Sequence, residues 1–267
     1  MSTYCHYFGF KSEPFTAEIA AKSLLKLPSM VSVKERLDYV MSGGVFIVTG
    51  EVGSGKSTSL RWSQAQFHPS QHLFLNITAT GGSLIEFYRQ LCWDLDIIVK
   101  TGSRAAILKE FKATVREIAA TKKQKIIIVV DEAHLLRADI FAELHTIMQF
   151  DNDSKNLFSL VLAGQPNLIE KMTYRSTAPL ASRVVARTHL STLNQDQMVV
   201  YLEHHLGVAG VKKMLFSDPA ITAIYQGSGG ILRKANSLAR GGLIAAATEK
   251  EQVVSAEHIR IASTELL

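Results

Sequence analysis

Apolar residues return along this chain in two rhythms. Val45-Phe46-Ile47-Val48-Thr49 is a short, largely apolar run, and Leu73-Phe74-Leu75-Asn76-Ile77, Ile126-Ile127-Ile128-Val129-Val130 and Leu157-Phe158-Ser159-Leu160-Val161-Leu162-Ala163 repeat it. Val184-Val185-Ala186 leads to a last short one. Runs of this kind suit strands covered on both faces, as in a parallel sheet. Between them, apolar residues recur at helical spacing over 84–95, 105–118 and 133–150. Alternating strands and helices predict an α/β fold with a doubly wound sheet, whose ligand sits at the carboxyl ends of the strands. Before the first run, Val33, Leu37, Val40 and Met41 have helical spacing; from Asn194 onward the pattern is helical alone, over 195–206, 219–226, 231–247 and 256–266. Glycine and Ser-Asp-Pro punctuation divides these segments, predicting a small helical domain after the sheet.

The first apolar run feeds Gly50-Glu51-Val52-Gly53-Ser54-Gly55-Lys56-Ser57, which carries G-x-x-x-x-G-K-[ST], with Thr58 next. Glycines there let the backbone curl so that successive N–H groups face a polyphosphate, where a Cβ would block the approach. Lys56 is expected on the β- and γ-phosphates, Ser57 on Mg²⁺, and the helix opening at Lys56 points its positive end at the same anion. The competing reading is a glycine-rich turn without a ligand. The strand before and the helical pattern after it favour ATP with Mg²⁺.

Composition changes this picture little. The chain has 267 residues, 47% hydrophobic and 20% charged, enough to bury a full core. A formal charge of +5 permits a nucleic-acid or acidic partner without requiring one. Cys5 and Cys92 form no C-x-x-C pair, which argues against a disulfide framework or a zinc site. No apolar stretch approaches the roughly 20 residues needed to span a bilayer, so a cytoplasmic protein is expected. The domains expected are an N-terminal segment, 1–41, packing on the core, a nucleotide-binding domain, 42–192, and a helical lid, 193–267.

Asp131-Glu132 closes the β-branched run. Asp131 is expected to hold Mg²⁺ through its water shell and Glu132 to orient or deprotonate an attacking water. An acidic first turn for the following helix is the alternative. With Ala133 and His134 the pair also spells the D-E-A-H string of a helicase family, but a helicase needs a second core of similar size. His134 is expected on a helix face, without a catalytic role. The aromatic cluster Tyr7-Phe8-Gly9-Phe10 with Pro14-Phe15 could stack on a base or could be core. Two basic patches, Lys100-Thr101-Gly102-Ser103-Arg104 and Lys122-Lys123-Gln124-Lys125, flank one helix.

With these motifs in place, the chain resembles an AAA+ ATPase, within the ExeA/GspA-type group and the related transposition helpers TniB, TnsC, MuB and IstB. Tyr7-Phe8-Gly9-Phe10 with Pro14-Phe15 resembles the group's opening, Gly164-Gln165-Pro166 its signature after the fourth strand, and Gly229-Gly230-Ile231-Leu232-Arg233-Lys234-Ala235-Asn236 its lid motif. The resemblance implies an AAA+ P-loop parallel sheet with flanking helices and a small C-terminal helical lid. It makes Gln165 the sensor of the γ-phosphate, although many AAA+ proteins have Asn or Thr there. It makes Arg233 the second sensor and Arg183 the arginine finger offered to a neighbour's nucleotide, with Arg187 as rival. A finger supplied in trans implies a ring or filament.

Unlike the secretion ATPases of this group, which continue into a membrane span and a cell-wall-binding region, this chain stops after the lid. That favours a stand-alone transposition helper, assembling on duplex DNA with ATP, marking a target and recruiting a transposase. Lys100, Thr101, Arg104, Lys122 and Lys123 are the candidates for sequence-independent phosphate contacts, each also readable as a solvated or helix-end charge. The alternatives are a secretion-associated ATPase on an envelope complex, and a nucleotide-gated interaction module with little hydrolysis.

Overall fold

The computed structural model describes residues 3–99 and 102–264. The strands are β1 (Gly44–Gly50), β2 (His72–Thr78), β3 (Lys125–Asp131), β4 (Phe158–Gly164) and β5 (Val184–Leu190). The helices are α1 (Thr3–Phe8), α2 (Pro28–Val40), α3 (Lys56–Gln64), α4 (Leu84–Trp93), α5 (Arg104–Glu117), α6 (Ala138–Met148), α7 (Asn167–Lys171) and α8 (Ala178–Ala181), followed by α9 (Gln195–Val208), α10 (Asp218–Ser228), α11 (Leu232–Thr248) and α12 (Ala256–Thr264). Among the described residues no helix is long and apolar enough to cross a membrane. The chain divides into two compact units: Met1–Lys26 with Glu51–Gly55 and Ser191–Leu267, and Leu27–Gly50 with Lys56–Leu190.

The second unit is the sheet, in the order β2-β3-β4-β1-β5, all parallel. Its strands alternate sides. Val45 and Ile47 face α4, α5 and α6 through Tyr88, Phe111 and Phe141, whereas Phe46 and Val48 face α2 and α3 through Val33, Leu37 and Leu60. Ile126 to Val130 are buried throughout, so the unbroken apolar run reflects helices on both faces. Each such side chain contributes about 1.5–3 kcal/mol by leaving water. Because β1 lies between β4 and β5 while the chain runs on to β2 at the far edge, the strand order reverses beside β1. Ligands bind at such a switch point.

Capping explains several helix ends. Ser83 and Glu86 form a reciprocal capping box on α4, and Asn194 and Gln197 form one on α9. The single helix expected over 133–150 is interrupted. Ala133–Leu135 is a 3₁₀ turn, Leu136 is extended, and α6 starts only at Ala138. Lys171 Nζ donates to the carbonyls of His134 and, at 2.9 Å, Leu136, holding those acceptors outside a helical ladder.

The first unit gathers the C-terminal helices with the start of the chain, so the segment 1–41 is divided after Lys26 while Pro28–Val40 packs on the sheet. Aromatic burial accounts for the division. Phe10 and Phe15 are buried, and Phe15 stacks on His205 at 5.3 Å and meets Phe216 edge-on. Lys11 N–H donates to the Ala209 carbonyl at 2.8 Å, and His204 Nε2 reaches the Ser23 carbonyl at 2.7 Å. Of the two readings of this aromatic cluster, core holds for Phe10 and Phe15.

Candidate active site

Gly50 ends β1 and Lys56 opens α3, both in the sheet unit; the five residues between them are counted with the helical unit. Within that unit, Gly53 and Gly55 have φ of +81° and +95°. A Cβ on Gly53 would come within 2.7 Å of Arg233 Cβ, so glycine is required there by both conformation and space. The Arg233 N–H donates to the Gly53 carbonyl at 3.2 Å, which brings the start of α11 against the loop and leaves the Arg233 side chain exposed. Glu51 and Val52 are exposed, and Ser54 N–H closes a turn on the Glu51 carbonyl at 3.1 Å. Ser54 is buried, yet its hydroxyl has no hydrogen-bond partner. A buried orphan hydroxyl in a cradle of this shape fits an anion with acceptor oxygens.

In the sheet unit, Lys56 is buried and its Nζ donates to the Gly50 carbonyl at 2.9 Å. Ser57 is exposed, and its hydroxyl donates to Asp131 Oδ2 at 2.6 Å, although the two are 74 residues apart. Thr58 is half-buried on α3. A hydroxyl and a carboxylate meeting between the start of α3 and the end of β3 are the oxygen donors a Mg²⁺ ion takes, so these residues fit the ion. The Asp131 Oδ1 accepts the Glu132 N–H at 2.8 Å. Glu132 adopts φ +53°, a left-handed conformation for a non-glycine residue, of the kind stored at functional sites. Its carboxylate is 38% exposed.

His134 completes this corner, a place the helical pattern did not anticipate. It is buried; its Nδ1 lies 3.3 Å from Glu132 Oε2 and accepts the Gln165 N–H at 3.4 Å. Gln165 is half-buried just past β4, between β3 and β1. The one sequence signal for His134 was its place three residues after Asp131.

Arg183 and Arg187 lie at the edge strand β5. Arg183 precedes β5, and its guanidinium Nη2 contacts both oxygens of Asp153, at 2.5 and 2.6 Å. The pair holds the Asp153 carboxyl below its usual range through that hydrogen bond first. Arg187 is exposed on edge strand β5. Arg104 opens α5 and pairs with the buried Glu143. Lys122 and Lys123 are exposed before β3, at its opposite end from Asp131. Lys100 and Thr101 lie outside the described residues.

The loop, the Ser57–Asp131 convergence and the sheet order define the class: this is the AAA+ P-loop fold, and residues 40–172 match the AAA domain family. The structure is similar to Cdc6p from Pyrobaculum aerophilum, with a TM-score of 0.73 at 18% identity over 95% of this chain and 70% of that one. It is similar to the Aeropyrum pernix ORC1 protein in complex with DNA, at 0.68 and 18% over 94% and 68% of the two chains. Drosophila ORC bound to DNA gives 0.70 and 16% over 99% and 66%. Among curated proteins, general secretion pathway protein A of Aeromonas hydrophila is 30% identical over 257 residues, or 91% of this chain. The chain is thus similar to that protein over most of its own length and to the AAA domain family over residues 40–172. The chain spans 45% of that relative's length.

Proposed function

We propose that this protein is a Mg²⁺-dependent ATPase whose turnover is completed by a second copy of itself, and that it assembles on duplex DNA as a transposition helper. The observation that carries the ATPase reading is the Ser57–Asp131 hydrogen bond at 2.6 Å, made by the serine that closes the G-x-x-x-x-G-K-[ST] sequence. ATP with Mg²⁺ supplies the transferable phosphoryl group and neutralises its charge. Lys56 exchanges the Gly50 carbonyl for phosphate oxygens, and the Ser54 hydroxyl gains the partner it lacks. Glu132 orients the attacking water and takes its proton, while Gln165 reads the γ-phosphate. Arg233 is the second sensor, and Arg183 or Arg187 the finger given to the neighbour. Asp153 already presents an anion to Arg183, so Arg183 must exchange that partner to serve, whereas the exposed Arg187 sits on an open sheet edge.

The helper would mark target DNA and recruit a transposase, working in the cytoplasm. The group's motifs and the exposed Lys122 and Lys123 support this, as do the DNA complexes among its structural relatives. Repeated along an assembly, weak phosphate contacts add into salt-sensitive binding without sequence preference. A secretion-associated ATPase is the second reading, favoured by the 30% identity to the Aeromonas protein. The two separate in one experiment: hydrolysis measured with and without duplex DNA at low salt, with electron microscopy of the slowly hydrolysed analogue complex. Stimulated turnover and rings or filaments are expected. Monomers with DNA-independent turnover would rule out the DNA-assembled reading.

A further inference from the structure

We propose that His134 is a positioning residue that links Gln165 to Glu132, an inference that rests on the roles proposed above for those two residues. The imidazole is buried, and a single atom, Nδ1, lies 3.4 Å from the Gln165 N–H and 3.3 Å from Glu132 Oε2. Those partners make opposite demands. A backbone N–H can only donate and an ionised carboxylate can only accept, so Nδ1 serves one of them at a time. With the ring proton on Nε2, the Nδ1 lone pair takes the Gln165 N–H and leaves Glu132 to the water. With the proton on Nδ1, the ring holds Glu132 and releases Gln165. The position of the Gln165 backbone therefore sets whether the carboxylate is held or available.

The surroundings keep the ring in that place. Gly164 lies directly against it: a Cβ there would come within 3.1 Å of the His134 nitrogen and 3.3 Å of Nδ1. Lys171 pins the turn from the other side by donating to the His134 and Leu136 carbonyls. Glu132, in its left-handed conformation, has its N–H fixed by Asp131. The carboxylate's direction is thus the freedom left to control, and His134 is the side chain beside it. A misplacement of about 1 Å in such an arrangement can cost on the order of 10²-fold in rate.

The test compares His134→Asn, which keeps a hydrogen-bonding atom near the Nδ1 position, with His134→Leu, which keeps the volume alone. Steady-state ATP hydrolysis and equilibrium binding of a fluorescent ATP analogue are measured for both, for wild type and for Glu132→Gln. His134→Leu is expected to lose roughly 10- to 100-fold in kcat with KM and analogue affinity unchanged, and His134→Asn to recover most of that loss. Equal losses in the two variants, or a change in KM with kcat intact, would assign the ring to packing and overturn the proposal. Undiminished turnover by Glu132→Gln would instead refute the reading on which it rests. With Glu132→Gln inactive, wild-type kcat in His134→Leu refutes the role of His134 alone.

Discussion

Arg104→Ala separates a structural cation from a DNA contact. Glu143 is 8% exposed; one carboxylate oxygen accepts the Tyr88 hydroxyl at 2.6 Å and the other pairs with the Arg104 guanidinium. Burial, then the bond to Glu143, pushes the Tyr88 hydroxyl far above its ordinary pKa, so it stays a donor. Removing one member of a fully buried pair costs about 3–5 kcal/mol, whereas an exposed pair contributes about 0–1. The Arg104 side chain is 52% exposed, so water can reach the vacated side while Tyr88 keeps its bond. The cost should lie between those limits, at about 1–2 kcal/mol, or a Tm lower by roughly 2–8 °C. Urea unfolding followed by the fluorescence of the buried Trp62 measures it. In a Glu143→Gln background, most of the cost should vanish. Unchanged stability, together with a salt slope of DNA binding reduced by about one, would refute this assignment and return Arg104 to the DNA contacts.

Lys56→Ala should abolish binding of a fluorescent ATP analogue, and Glu132→Gln should bind it normally without turnover; retained binding by the first or turnover by the second would contradict the site. Replacing Lys122 and Lys123 with Ser should weaken binding to unrelated duplexes alike and flatten the salt dependence by up to about two in slope, as read by fluorescence anisotropy; an unchanged slope removes both from the interface. Burial, and then His204, hold the His205 imidazole down to about 4. The unfolded chain takes up a proton near pH 6.5 that the folded chain refuses. Stability is therefore full above that pH and falls as pH drops towards 4, by up to about 3 kcal/mol. A pH series of Tm values should show the decline, and His205→Phe should flatten it; equal slopes would exclude His205 as its source.

The strands were legible because burial on both faces leaves an unbroken apolar run, as in Ile126 to Val130, and the phosphate loop because its chemistry fixes residue types at fixed spacing. The C-terminal helices were legible through punctuation and caps such as Asn194 with Gln197. What local pattern could not carry was tertiary exchange of partners. Ala133 to Phe150 has helical spacing, yet Lys171, far along the chain, takes the carbonyls that would start that helix. His134 looked like a helix-face residue for the same reason. Arg104 and Arg183 are alike as isolated cations, and only the fold reveals Glu143 beside one and Asp153 beside the other. The segment 1–41 reads in sequence as one piece packing on the core, and nothing nearby in sequence shows that its Phe15 stacks on His205.

The claim that one copy completes another's site is tested most directly by mixing two inactive variants. Glu132→Gln keeps both candidate fingers but lacks the base; an Arg183→Ala, Arg187→Ala double variant keeps the base but lacks a finger. If the finger acts in trans, random co-assembly pairs an intact base with an intact finger at about a quarter of interfaces, and an equal mixture should recover a comparable share of wild-type ATP hydrolysis. A mixture no more active than the sum of its parts, or full activity in the arginine double variant, would contradict the account.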